Sequence, residues 1–298
     1  MTSLHTLTGL GHIMITPFLP DESVDEDGLA SVVDYAVGAG VSAVIPLGIM
    51  GEAHKLTDAE RDLVVERVVS AVAGRVPVIA GCTAESTRAT VQRVRRAAEL
   101  GAAGVMVAPP RALAGAAGQQ VAYYRAVCDA ADVPVVVQDE PVTTGVAMSG
   151  ATLGEIVRHP TAVAVKVEQV PSPTKISAIL DANPDARCFG GLGGLYAVEE
   201  LDRGAVGVMT GFALPDVLVR ICAAHAAGDR AGARRTFFQH LPLIRYEAQL
   251  GVGGVSIRKQ LFVERGIIRH DTVRGPAPVT DPRTVAELRG LIEDVEHG

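Results

Sequence analysis

Two apolar runs, Val133-Pro134-Val135-Val136-Val137-Gln138 and Thr161-Ala162-Val163-Ala164-Val165-Lys166, decide the fold of this chain. Both are short and rich in small or β-branched residues, which is typical of strands buried on both faces. A helical pattern at 153–158 lies between them. Because a helix that joins two buried strands places them side by side and parallel, the segment predicts one βαβ unit.

The same unit recurs along the chain. Strand patterns are predicted at 11–18, 40–46, 76–81, 103–108, 133–138, 161–166, 186–190 and 204–209, and helical patterns separate them. Eight alternations within roughly 210 residues predict an α/β fold of the (β/α)8 TIM-barrel type. A doubly wound open sheet is the alternative, but it usually has fewer strands and a glycine fingerprint after the first one. Here the first strand pattern runs into Thr16-Pro17-Phe18 instead.

Beyond the eighth strand the sequence favours helices alone, at 214–227, 230–250, 256–266 and 281–297. We therefore predict a barrel domain at 1–212 and a C-terminal helical domain at 213–298, which covers a barrel end or forms a subunit contact. The small-residue segment 113–118 predicts a mobile lid or a surface turn. Ser23 with Glu26, and Thr57 with Glu60, have the spacing of capping boxes that begin helices.

Composition excludes several classes of protein. The chain is 48% apolar and 20% charged, and its net charge of −7 without a basic run argues against nucleic acid as a partner. It shows neither a signal-peptide pattern nor an apolar run of membrane-spanning length. The four cysteines are far apart, and the eight histidines lack a metal-binding spacing. We expect a cytoplasmic protein without membrane partner, metal or cofactor.

Lys166 is the strongest candidate for chemistry, because it ends an apolar strand where an ammonium group is costly. The functional interpretation is an amine that apolar neighbours keep partly neutral, so that it attacks a carbonyl and forms a Schiff base. The structural interpretation is a lysine that extends into solvent at the strand end, or one that pairs with Glu168.

Three carboxylates accompany Lys166 at the predicted C-terminal ends of the strands, which is where barrels place their active sites: Asp139, Glu140 and Glu168. Alternation along a strand places Lys166 and Glu168 on one face, and Gln138 and Glu140 on one face. A lysine with carboxylates nearby could attack a ketone, move a proton and eliminate water. Asp139 and Glu168 could equally bind helix-end amides or arginines.

Two glycine-containing segments also lie at predicted strand ends. Gly48-Ile49-Met50-Gly51 offers backbone amides to a small carboxylate, although it could be a simple tight turn. Gly190-Gly191 could leave room for a substrate, and because no Lys or Arg follows closely, a phosphate site there is only weakly indicated.

Taken together, these residues resemble the dihydrodipicolinate synthase / N-acetylneuraminate lyase family, whose members form lysine imines. The motifs concerned are Gly48-x-x-Gly51-Glu52, Leu56-Thr57-x-x-Glu60-Arg61, Pro77-Val78-Ile79-Ala80-Gly81, Pro109, Pro134 to Pro141 with Gly145, the Lys166 strand and Gly204-Ala205-Val206-Gly207-Val208. The resemblance implies a barrel with a C-terminal helical domain and usually a homotetramer. It also implies an imine between Lys166 and pyruvate or another 2-keto acid.

The chain departs from the family pattern at five positions. The paired threonines that help bind the keto-acid carboxylate are Ile49 and Met50 here, and the acid/base tyrosine of the fifth strand is Gln138. The relay tyrosine falls near Arg111, and the arginine that synthases use for the second substrate falls at Thr143. These differences argue against a synthase of the lysine pathway. Some sugar-acid branches dehydrate 2-keto-3-deoxy acids without that tyrosine, and Gln138-Asp139-Glu140-Pro141 is similar to theirs.

We therefore predict a Schiff-base lyase that acts on a small 2-keto acid, as a 2-keto-3-deoxy sugar acid dehydratase or aldolase, in a homo-oligomer (tetramer or dimer). The predicted catalytic residues are Lys166, Gln138, Glu140 and Glu168. The predicted substrate-binding residues are Gly48, Ile49, Met50, Gly51, Arg111, Gly190, Gly191 and Met209. Three alternatives stay open: synthase-like condensation of pyruvate, a non-catalytic keto-acid-binding barrel, and a metal-dependent barrel lyase.

Overall fold

Eight parallel strands and the helices between them form the first two-thirds of the structure. The computed structural model describes residues 3–249, 254–277 and 280–297. The strands are β1 Gly9–Ile13, β2 Ala43–Ile45, β3 Ile79–Gly81, β4 Gly104–Val107, β5 Val135–Asp139, β6 Ala162–Val167, β7 Cys188–Gly190 and β8 Gly207–Thr210. The helices are α1 Glu26–Gly38, α2 Asp58–Val72, α3 Thr87–Glu99, α4 Ala117–Asp129, α5 Pro141–Thr144, α6 Gly150–Ile156, α7 Ser172–Ala182, α8 Ala197–Asp202, α9 Pro215–Ala226, α10 Arg230–Gln249, α11 Gly254–Glu264 and α12 Pro282–His297.

The strands close into a ring. Their order is β2-β1-β8-β7-β6-β5-β4-β3, and a parallel bridge between Val44 and Val78 joins the two ends. The Val44 amide donates to the carbonyl of Pro77 at 3.2 Å, and the Gly81 amide donates to that of Pro46 at 3.0 Å. The predicted (β/α)8 barrel is confirmed.

Two buried layers explain why the strand sequences are apolar throughout. One layer fills the barrel interior and includes Ile13, Ile45, Ile79, Met106, Val136, Ala164, Phe189 and Met209. The other lies between the strands and the surrounding helices and includes Val137, Val165 and Val167. Because side chains alternate along a strand, Gln138 follows Val136 to the interior face, and Lys166 follows Ala164.

The element boundaries agree with the sequence patterns to within a few residues, apart from the first strand. β1 ends at Ile13, and the chain beyond it turns so that the Thr16 hydroxyl donates to the carbonyl of Gly51 at 2.7 Å. The capping box predicted at Thr57 and Glu60 is confirmed.

The capping box predicted at Ser23 is wrong. Val24 forms an antiparallel bridge with Phe18, which keeps the chain extended past Ser23. The carboxylate of Asp25 caps α1 instead, because it accepts a hydrogen bond from the Gly28 amide at 3.0 Å.

The helices after β8 pack on one another and on the barrel. α10 lies against α9, α11 and α12, and α9 also contacts β1. The division of the chain at 212/213 stays a prediction. In segment 113–118 a 3-10 helix ends at Leu113 and α4 begins at Ala117. No helix among the described residues is long and apolar enough to cross a membrane.

Candidate active site

Lys166 is the penultimate residue of β6, and its side chain lies on the interior face of the barrel. Its ammonium group forms an ion pair with Oε1 of Glu168 at 2.9 Å, and the two side chains are 6% and 12% exposed. The interpretation in which Lys166 extends into solvent is therefore wrong, whereas the expected pairing with Glu168 is present. An ion pair of this kind is compatible with a nucleophilic amine, because the carboxylate is also a proton acceptor for the ammonium group.

Gln138 completes the cluster from the neighbouring strand. Its Cα is in register with that of Lys166, and its Nε2 donates to Oε2 of Glu168 at 2.8 Å. The two oxygens of Glu168 thus contact an amine and a neutral amide. An amide does not transfer protons at ordinary pH, whereas the carboxylate of Glu168 can accept one.

A cleft of about 570 Å³ reaches Gln138, whereas Lys166 and Glu168 are not among the residues that line it. Its walls include Gly48, Ile49, Met106, Ala108, Arg111, Gln138 and Thr143. This volume is within the usual range for small-molecule sites. Arg111 is exposed at the rim, where its amide donates to Oε2 of Glu85 at 3.2 Å and its Nη2 donates to the carbonyl of Thr143 at 3.3 Å.

Gly48 and Ile49, the first two residues of segment 48–51, line the cleft. After the extended Gly48, residues 49–51 make a short 3-10 helix in which the Gly51 amide donates to the Gly48 carbonyl at 3.0 Å. The amides of Ile49 and Met50 begin this helix, and the first amides of a helix lack an acceptor within it. The side chain of Met50 lies near the start of α11 and is partly buried.

The other two predicted carboxylates lie away from Lys166. Glu140 follows the end of β5 and caps α5, because its Oε2 accepts a hydrogen bond from the Thr143 amide at 2.9 Å. Asp139 is on the outer face of the barrel, 3.4 Å from the ammonium group of Lys175. Burial raises the pKa of Asp139 to about 6, and the nearby Lys175 opposes this increase. Glu140 thus caps a helix, and Asp139 lies near a lysine instead of the helix-end amides or arginines that the alternative interpretation expected.

The glycines after β7 make room for two carboxylates of the protein. A Cβ atom at Gly191 would lie 2.3 Å from Cγ of Glu168, and one at Gly190 would lie 1.7 Å from Oε2 of Glu200. Met209 is fully buried in the interior layer. The absence of side chains at Gly190 and Gly191 therefore makes room for Glu200 and Glu168, and contact of these glycines with a substrate stays a prediction.

Sequence reasoning missed Glu200, which is fully buried on α8. Its Oε1 accepts a hydrogen bond from the Ser172 hydroxyl at 2.5 Å. Burial raises the pKa of Glu200 to about 8, and the Ser172 hydrogen bond opposes this increase. A single acidic residue in a helical pattern usually faces solvent, so no local signal distinguishes it.

Sequence reasoning also missed a buried network in which Lys259 pairs with Glu52 at 2.7 Å. These two residues are far apart in the chain, and only the fold brings them together. Among the residues that the structure describes, no group of three or more His, Cys, Asp or Glu side chains is arranged to hold a metal ion.

The family profile described as "Dihydrodipicolinate synthetase family" matches residues 6–294. An uncharacterised DapA-like lyase of Halobacterium salinarum is 40% identical over 230 residues, which are 76% of this chain and 75% of that protein. The L-2-keto-3-deoxyarabonate dehydratase of Azospirillum brasilense is 32% identical over 289 residues, which are 95% of this chain and 93% of that protein.

Solved structures give the same result. The dihydrodipicolinate synthase of Rhodopseudomonas palustris superposes with a TM-score of 0.91 and 34% sequence identity, covering 98% of this chain and 99% of that one. The chain therefore belongs to the dihydrodipicolinate synthetase family and is one of its lyases.

Proposed function

We propose that this chain is a lysine-imine lyase that acts on a small 2-keto acid, and that it dehydrates a 2-keto-3-deoxy sugar acid. The observation that supports this proposal best is the contact of Glu168 with both Lys166, at 2.9 Å, and Gln138, at 2.8 Å. The relative whose name specifies a 2-keto-3-deoxy acid supports the same substrate class.

The reaction begins when Glu168 accepts a proton from the Lys166 ammonium group, and the neutral amine then attacks the C2 carbonyl. Glu168 returns this proton to the departing hydroxyl, which leaves as water, so that a protonated imine and an unprotonated Glu168 remain. Glu168, next to that nitrogen, removes a proton from C3, and the electron pair forms an enamine. The enamine expels the C4 hydroxyl, which takes a proton from Glu168 and leaves as water. A second water molecule hydrolyses the conjugated imine, so that Lys166 is restored and the dehydrated keto acid is released.

The 48–51 segment is proposed to bind the substrate carboxylate through backbone amides, because Ile49 and Met50 offer no side-chain hydroxyl. Arg111 at the cleft rim is proposed to contact the far end of the substrate. Glu140 has no part in proton transfer here, since its carboxylate caps α5. We also propose that the protein is cytoplasmic and forms a homo-oligomer, a dimer or a tetramer. The boundary between the barrel domain and the C-terminal helical domain is proposed at 212/213.

Borohydride reduction tests the proposal directly. The protein is incubated with pyruvate or with a 2-keto-3-deoxypentonic acid, reduced and mapped by mass spectrometry. We expect an adduct on Lys166 and none on Lys175 or Lys259. A protein that forms no adduct with either acid is not a lysine-imine lyase.

Product analysis separates dehydration from cleavage. Dehydration of the pentonic acid retains all its carbon atoms in one product, whereas retro-aldol cleavage releases pyruvate and an aldehyde. We expect no pyruvate, and stoichiometric pyruvate release would assign the chain to the aldolases instead.

A further inference from the structure

Segment 48–51, of which Gly48 and Ile49 line the cleft, lies between two residues with unfavourable backbone conformations. Leu47, just before Gly48, has φ 61°, and Glu52, just after Gly51, has φ 54° and ψ 28°. Residues other than glycine adopt this left-handed region only when the surrounding structure holds them there. The conformation of 48–51 therefore depends on contacts made by its neighbours.

Glu52 has such contacts on both carboxylate oxygens. Oε1 accepts a hydrogen bond from Nζ of Lys259 at 2.7 Å, and Oε2 accepts one from Nζ of Lys55 at 3.0 Å. The backbone amide of Arg274 donates to Oε2 at 3.1 Å. The side chain of Glu52 is 1% exposed, so these three donors replace water entirely.

The donors are themselves fixed in place. Lys259 is fully buried and also donates to the carbonyl of Thr272 at 2.7 Å, while Lys55 donates to that of Arg274 at 2.6 Å. The Arg274 guanidinium binds Glu60 at 2.6 Å and 2.8 Å, and Glu60 caps α2. The network therefore connects the cleft segment to α2 and, through Lys259, to α11.

The aromatic ring of Phe18 contacts two cations of the network. Nζ of Lys259 is 4.2 Å from the ring centroid of Phe18, and the Arg274 guanidinium carbon is 4.4 Å from it. A ring face attracts cations, and this attraction is stronger away from water. The network contains the cations Lys55, Lys259 and Arg274 and the carboxylates of Glu52 and Glu60, and the Glu22 carboxylate lies beside it, where Oε1 accepts a hydrogen bond from the Gly275 amide at 3.2 Å.

We propose that Glu52, Lys259 and Arg274 are positioning residues that hold segment 48–51 in the conformation that binds the substrate carboxylate. The C-terminal helical part of the chain thus takes part in substrate binding without touching the substrate. This inference rests on the proposed function, in which that segment binds a 2-keto acid.

Two variants test it in the full-length protein. Lys259→Met removes one donor, and Glu52→Gln keeps the shape of the acceptor but removes its charge. The double variant Glu52→Gln/Lys259→Met removes both charges and provides a folded protein if a single variant misfolds. Leu288→Ala is the matched control, because Leu288 is fully buried in α12 and its loss destabilises the chain without changing the contacts of Glu52.

The first measurement is hydrogen exchange in a peptide covering 47–56. The amides of Gly51, Glu52 and Lys55 are hydrogen-bonded within this segment. We expect them to exchange at least about tenfold faster in Lys259→Met and Glu52→Gln, and at the unchanged rate in Leu288→Ala. Unchanged exchange in both network variants overturns the inference, whether or not the protein has activity.

The second measurement is the Kd of pyruvate, with the borohydride adduct at saturating pyruvate as the companion readout. We expect the Kd to rise about tenfold or more in Lys259→Met, while the adduct yield at saturation stays that of the wild type. A Kd equal to that of Leu288→Ala overturns the positioning role. Absence of pyruvate binding in the wild type instead overturns the proposed function, and the exchange measurement then decides on the network by itself.

Discussion

Two buried lysines of this chain each pair with a glutamate, yet their surroundings differ. The Lys166–Glu168 pair is 2.9 Å long, and its side chains are 6% and 12% exposed. The Lys259–Glu52 pair is 2.7 Å long, and its side chains are 0% and 1% exposed. The first pair lies at the end of β6, where Glu168 contacts Gln138, a residue that lines the cleft. The second pair connects Glu52, which follows segment 48–51, to α11.

The difference shows that a lysine is not a nucleophile merely because burial lowers its pKa. Burial lowers the pKa of Lys259 to about 8, and Glu52 opposes this decrease. Lys259 nevertheless has its ammonium group enclosed by Glu52, the Thr272 carbonyl and the Phe18 ring, so no substrate can reach it. Glu168, in contrast, gives its second oxygen to the neutral amide of Gln138, which leaves it able to accept a proton.

Replacing the lysine at the mouth should have the largest effect on turnover. We expect Lys166→Met to lower kcat/KM by more than about 10⁴-fold, because the covalent route is lost. Lys166→Arg keeps the positive charge but cannot form an imine, and it should be equally inactive. Steady-state kinetics with a 2-keto-3-deoxypentonic acid measure both. Activity in either variant within tenfold of the wild type contradicts the nucleophilic role.

The carboxylate of the same pair should come next. We expect Glu168→Gln to lower kcat by about 10²- to 10⁴-fold, since the amide cannot remove the C3 proton. Glu140→Gln is the matched control, because the amide oxygen can still accept the Thr143 hydrogen bond and kcat should stay within threefold. If the Glu140 variant loses more activity than the Glu168 variant, the acid/base assignment is reversed.

Replacing Lys259 should lower the free energy of unfolding more than replacing Lys166 does, the reverse of their order for turnover. We expect Lys259→Met to lower the free energy of unfolding by about 3 kcal/mol, because Oε1 of the buried Glu52 loses its donor, although Lys55 and the Arg274 amide still bind Oε2. Lys166→Met should cost less than about 2 kcal/mol, since Glu168 keeps its Gln138 hydrogen bond and its side chain is 12% exposed. Urea unfolding at pH 7 measures both variants. Equal losses would show that the two ion pairs contribute equally to the free energy of unfolding.

A smaller effect concerns Glu200, which keeps its proton in the folded chain up to about pH 8. The unfolded carboxyl loses its proton near its ordinary pKa of about 4.5, so between these values the folded state binds more protons. The contribution of Glu200 to the free energy of unfolding therefore falls as pH rises from 5 to 8, by at most about 1.4 kcal/mol per pH unit.

Glu200→Gln tests this because the amide does not titrate and can still bind Ser172. We expect urea unfolding at pH 5, 6, 7 and 8 to show a flatter pH dependence for the variant than for the wild type. An identical slope in both proteins would mean that Glu200 is ionised when folded. Glu60, whose pKa the Arg274 hydrogen bonds lower to about 2, contributes only at more acidic pH.

The barrel and its nucleophile candidate were predictable because both leave local patterns. Runs such as 133–138 identify buried strands, and Lys166 is conspicuous at the end of one. Glu168 followed from alternation along β6. The same rule failed for Glu140, because β5 ends at Asp139 and the backbone of Glu140 leaves the strand conformation.

Contacts between distant parts of the chain were not predictable. Lys259 lies in a helical pattern whose sequence shows no sign of Glu52, and the Arg274 amide that contacts Glu52 lies in an irregular segment. Likewise, Gly190 and Gly191 suggest an open space in the sequence, whereas in the fold that space belongs to Glu200 and Glu168. Such assignments need the packing of several elements at once.

The closure of the ring between β2 and β3 has a consequence for ligand binding. These neighbours share one isolated bridge, at Val44 and Val78, whereas the other adjacent strands are paired over two or more residues. The cleft has Gly48, which follows β2, on one side of this join and Thr83, which follows β3, on the other. A molecule bound in the cleft would therefore contact the chain after both β2 and β3, the adjacent strands that share the shortest pairing. Its binding would stabilise the closure of the barrel at this position.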